Sequence, residues 1–147
     1  MNKTTWMIAS LLAGAFLPIQ ASMNAKLGKA GTSAIHGTMI SFFVGAFAVA
    51  LYILLTKQTV SWAGIKSAPA YAWLGGLLGA CYVTLVILAY PKLGPALTFG
   101  LVVTGQIFLS ALMEHFNILV DQQHSLNIWR ILGFLMIIGG VILIRKF

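Results

Sequence analysis

Charge is scarce in this sequence, and acid scarcer still. Asp, Glu, Lys and Arg make up 7% of 147 residues, and only Glu114 and Asp121 are acids. Ordinary globular domains carry about 25% charged residues, so a water-soluble surface is excluded. A lone cysteine, Cys81, excludes an intrachain disulfide and any paired-thiol redox or zinc motif. Also missing are an HExxH helix, a GxSxG elbow with acid and base partners, a Walker loop and paired carboxylates. Nothing therefore points to an enzyme, and no metal or cofactor is expected from so few acids.

Hydrophobic residues fill the sequence instead, at 60%. The net charge of +7 comes from Lys and Arg that mostly stand singly between apolar runs. They read as membrane-flanking anchors, not as a nucleic-acid footprint. Uncharged runs cover 4–25, 30–56, 67–91 and 93–113, each longer than the 18 or so residues that suggest a spanning helix. A shorter run, 131–144, reaches spanning length if Arg130 and Arg145 snorkel outward. The pattern predicts an all-α, polytopic membrane protein: one domain over 1–147 with five helices near 4–24, 34–56, 68–90, 95–117 and 127–145. The N-terminal segment is expected to stay, since a cut after Ala21 puts Ile19 where a small residue is needed.

Five spans put the termini on opposite sides. One side carries Lys3, Lys57, Lys66 and Arg130; the other carries Lys26, Lys29, Lys92, Arg145 and Lys146. Four against five gives almost no positive-inside bias. Either a partner or particular loops fix one orientation, or the chain inserts both ways and pairs with its inverted copy. Trp6, Trp62, Trp73 and Trp129 all lie near the first side. An antiparallel pair would restore the usual two aromatic belts. The segment 26–32 resembles 92–98, and a turn used twice explains that better than a duplication.

Polar residues inside apolar spans are costly, and they face protein or a water-filled cavity. In the fourth span Thr98, Gln106, Ser110 and Glu114 share a face at multiples of four. They either bond helices together or line a substrate cavity, and Gln106 fits both readings. In the first span Pro18 withholds an N–H from the carbonyl of Gly14, predicting a kink. Gln20 and Asn24 follow one turn apart, as cavity-lining amides or as hydrated groups near the surface. Gly37 and Gly45 in the second span, with Ser33 and Ser41 between and before them, form a small-residue stripe for close packing; Gly75 and Gly79 do so in the third. Ser41 is also a substrate-contact candidate. Glu114 sits at the interface if the fourth helix ends near it, and about 9 Å deep if Phe116–Val120 continue the helix. A buried carboxyl there would suit proton or cation coupling. His36, His115 and His124 read as surface or helix-end residues.

The ordered segments Leu17-Pro18-Ile19-Gln20-Ala21 with Asn24-Ala25, Ser41-Phe42 with Gly45, and Trp73-Leu74-Gly75-Gly76 with Gly79 carry a resemblance. Pro91-Lys92-Leu93-Gly94, Gly105-Gln106 with Ser110, and Glu114-His115-Phe116 continue it. The chain resembles the YdcZ-like family of short bacterial membrane proteins in the drug/metabolite transporter superfamily. That resemblance implies five helices per chain and single, paired or fused genes with two oppositely oriented halves. The family often has Asp where Glu114 stands, so the carboxylate is kept with a longer reach.

The expectation is a small-molecule transporter of the bacterial inner membrane. It would work by alternating access in an antiparallel homodimer, a ten-helix inverted-repeat bundle with a midplane cavity. An oppositely oriented homologous chain could replace the second copy, and the other partners are the bilayer and a small organic substrate, with no nucleic acid. Gln106, Ser110, Gln20, Asn24 and Ser41 are the substrate-contact candidates, with Trp73 as an aromatic wall. A second expectation is a proton-coupled exporter of cationic drugs or metabolites that uses Glu114. A third, of another class, is a non-transporting scaffold or a subunit for flipping lipid carriers, in which polar stripes only join helices.

Overall fold

The computed structural model describes residues 2–147. Its elements are helical: α1 (Lys3–Ala30), α2 (Ala34–Leu55), the short α3 (Trp62–Lys66), a 3-10 turn (Ala70–Trp73), α4 (Leu74–Leu93), α5 (Pro95–Phe116) and α6 (Ile128–Lys146). Five segments are long and apolar enough to cross a membrane, with the 3-10 turn and α4 forming one of them. The shortest, α6, has 19 residues. At 1.5 Å per residue that is about 28 Å, close to the thickness of the hydrocarbon core.

The helix limits follow from local chemistry. Asn2, Ser33, Ser61 and Asn127 each accept a backbone N–H at the start of α1, α2, α3 and α6. Gly94 has φ +77°, a conformation that an L side chain rarely adopts, and Pro95 then opens α5 with its pre-set φ. The first helix runs past the expected residue 24 to Ala30, so Lys26 and Lys29 belong to the helix and not to a loop. Lysine near a helix C-terminus complements the carbonyl end of the dipole, which explains the extension. The helix runs continuously through Pro18. The third span opens as a 3-10 turn, placing Trp73 at its edge. That turn follows Pro69, a residue that cannot donate a backbone N–H.

Two compact units divide the chain, one ending at Lys92 and the other spanning Leu93–Phe147. In the first, α1 and α2 meet backbone to backbone. A Cβ on Gly37 would come within 2.5 Å of the Asn24 carbonyl oxygen and 2.8 Å of the Gly28 nitrogen. Thr84 Oγ1 donates to Thr38 Oγ1 at 3.4 Å, joining α4 to α2, and Phe42 lies against Gly79. Ala21, Val86 and Ile87 are buried here. In the second unit α5 packs on α6, with Ala111 buried and Val141 against Gly100. Among the described residues, Gly45 and Gly75 have no neighbour within 4 Å of a would-be Cβ, so the close approach made at Gly37 is not repeated there. A small-residue stripe permits close approach but does not select the partner.

Among the described residues four hydrophobic ones are buried, while large ones such as Leu11, Phe43, Leu54, Leu78 and Met136 are over half exposed. In water such a surface would be untenable. In a bilayer, lipid tails cover it, and the helices satisfy their own backbone groups.

Candidate functional site

The strongest concentration of polar chemistry lies between α5 and α6. Asn127 caps α6 through a 2.9 Å bond to the Arg130 backbone N–H, so Arg130 falls in the first turn. At the end of α5, Asn117 takes a left-handed conformation with φ +54° and stops the helix. Asparagine is among the residues that tolerate this geometry. The helix ends at Phe116, so residues 117–120 do not continue α5, and Glu114 lies in its last turn, not deep within the helix.

Both charges oppose their own helix dipoles: an acid near a C-terminus and a cation near an N-terminus are each disfavoured. They offset one another. Arg130 Nη1 donates to Glu114 Oε2 at 2.8 Å, with each side chain about one-third exposed (33% and 34%). The same guanidinium nitrogen donates to the His124 carbonyl at 3.2 Å, and His124 Nδ1 stands 3.9 Å from Glu114 Oε2. The intervening loop is tied to His115, whose Nδ1 accepts from the Leu126 N–H at 3.3 Å and whose carbonyl accepts from Gln123 at 2.9 Å.

A cavity of about 420 Å³ opens beside this pair. Gln106, Ser110, Glu114 and Arg130 supply its polar lining, while Phe134 and Ile137 are among its apolar walls. Gln106 and Ser110 are exposed. Thr98, on the same sequence stripe, is buried with its hydroxyl bonded to the Gly94 carbonyl at 2.7 Å, and it lies outside the cavity lining. The cavity thus offers an amide, a hydroxyl and an ion pair without net charge, set in an apolar frame.

A second polar cluster occupies the first unit. Gln20 and Asn24 on α1 share a hollow of about 10 Å³ with Tyr82 on α4. Asn24 is 5% exposed, and neither its Nδ2 nor the Tyr82 hydroxyl has a hydrogen-bond partner among the described residues. An unpaired buried amide costs about 1–3 kcal/mol, which marks the hollow as a place where a polar atom would be welcome. Ser41 is half-buried on α2 and belongs to neither cluster, and Trp73 is 64% exposed in the 3-10 turn. Sequence reasoning missed Tyr82 and saw Arg130 only as an anchor. The signal for Arg130 was present: a cation in an acid-free first helical turn needs a counter-charge. Tyr82 had no signal in the sequence, because its significance depends on Asn24 lying opposite. No group of three His, Cys, Asp or Glu side chains able to hold a metal occurs among the described residues.

Residues 5–143 match the family described as "Putative inner membrane exporter, YdcZ". The chain belongs to the YdcZ family. No curated protein and no solved structure matches it. Family membership and five spanning-length helices make it a multi-pass inner-membrane protein of transporter type. The YdcZ description is that of an exporter, not of an enzyme.

Proposed function

We propose that this YdcZ protein exports a small organic compound as an antiparallel homodimer. Two inverted five-helix chains form a ten-helix bundle, and alternating access arises as they exchange inward- and outward-facing shapes. The observation that carries the proposal is the α5–α6 cavity, where Gln106, Ser110 and the Glu114–Arg130 pair meet apolar walls. Concave, mostly apolar sites with a few placed polar groups are how proteins hold small ligands. The near-equal division of Lys and Arg between the two sides supports insertion in both orientations.

The substrate is neutral, zwitterionic or weakly cationic. One carboxylate already faces one guanidinium in the cavity, so a multiply charged ligand would enter without compensation. Gln106 and Ser110 provide the orienting hydrogen bonds. Gln106→Leu should abolish transport in reconstituted vesicles while leaving expression and dimerisation intact. Unchanged transport would remove Gln106 from the site.

Glu114 favours a second reading, since among the described residues it supplies the one carboxylate lining the cavity. A proton or a cationic substrate would compete with Arg130 for it, coupling export of cationic compounds to proton entry. Glu114→Gln should then abolish proton coupling. A variant with normal pH dependence of transport would sink this reading.

A further inference from the structure

Lys26 and Lys29 on α1 and Lys92 on α4 line one hollow of about 700 Å³, within the first unit. Ser22 and Thr32 add hydroxyls to the lining, and Leu88 adds apolar surface. The dipole argument accounts for Lys29 and Lys92 singly, because each lies in the last turn of its helix. It does not account for three lysines around one cavity. Like charges in close proximity repel, and more strongly beside a bilayer than in water. Among the described residues no ion pair involves these lysines; both ion pairs are on Glu114.

We infer that this hollow binds the phosphate headgroup of an anionic phospholipid. The site lies where α1 and α4 end, and the ends of helices that cross a bilayer fall near its headgroups. The lysines and hydroxyls would hold the phosphate, and Leu88 with Ile87 would flank the glycerol and upper acyl chain. Basic pockets between membrane helices bind anionic headgroups in this way, each cation adding severalfold to affinity. The inference is independent of the transport reading, since it uses none of the α5–α6 residues.

The test is a titration of the purified chain in neutral detergent, read by thermal unfolding and by lipid retention in native mass spectrometry. Phosphatidylglycerol should stabilise the chain where phosphatidylcholine does not. Each Lys→Gln change at 26, 29 or 92 should weaken the apparent affinity about fivefold. The three Lys→Arg changes together should preserve binding, as should Lys57→Gln with Lys66→Gln. The single Lys→Gln variants, each leaving two lysines in place, keep the test decisive even if one of them fails to fold. Equal effects of the two lipids, or undiminished binding in the Lys→Gln variants, would overturn the site. Millimolar inorganic phosphate matching phosphatidylglycerol would overturn the lipid assignment.

Discussion

Arg130 and Glu114 sit at the wrong ends of their helices and correct each other across 2.8 Å. A double-mutant cycle with Arg130→Gln and Glu114→Gln should give a coupling of about 1 kcal/mol in thermal unfolding, given that both side chains are partly exposed. Additive effects would mean that the pair contributes nothing to holding α5 on α6.

Gly37 and Gly45 belong to one sequence stripe but to different surroundings. Gly37→Ala pushes a methyl against the Asn24 carbonyl and the Gly28 backbone, and should destabilise the chain by roughly 2 kcal/mol. Gly45→Ala meets open space and should be neutral, or stabilising by up to about 1 kcal/mol through helix propensity. Thermal unfolding in detergent compares the two. If they behave alike, the close α1–α2 approach is wrong.

Tyr82→Phe removes a buried hydroxyl that has no hydrogen-bond partner among the described residues. Stability should therefore hold or rise by up to about 1 kcal/mol. Transport should fall if the hollow with Gln20 and Asn24 contacts substrate. A stability loss beyond about 1 kcal/mol would show instead that the hydroxyl is satisfied in the assembled protein.

Membrane orientation tests the antiparallel dimer directly. In a Cys81→Ala background, one cysteine added after Phe147 should react with an impermeant thiol reagent from outside in about half of the molecules, the equal split expected without a positive-inside bias. Labelling wholly from one side would replace the homodimer with an oppositely oriented partner chain or a parallel assembly.

Much of the architecture was legible because a bilayer imposes it. Long uncharged runs have one stable form in hydrocarbon, the helix, so spacing between charges reveals the spans. The ends were harder to read. Lys26 and Lys29 looked like loop residues, yet a helix C-terminus welcomes lysine, and α1 keeps both. The depth of Glu114 turned on whether Asn117 would stop the helix, a choice the apolar run after it obscured.

For the polar groups, the sequence determined which residues share a helical face, because the period of 3.6 is local. That was enough to put Gln106, Ser110 and Glu114 together. Tertiary structure alone decided what faces them: Arg130 across the loop from Glu114, Tyr82 opposite Asn24, and three lysines from two helices around one hollow. The physical reason is that helix pairing in lipid rests on close packing and scattered polar contacts, not on a hydrophobic pattern. With nearly every position apolar, the sequence marks the spans but not their mutual faces.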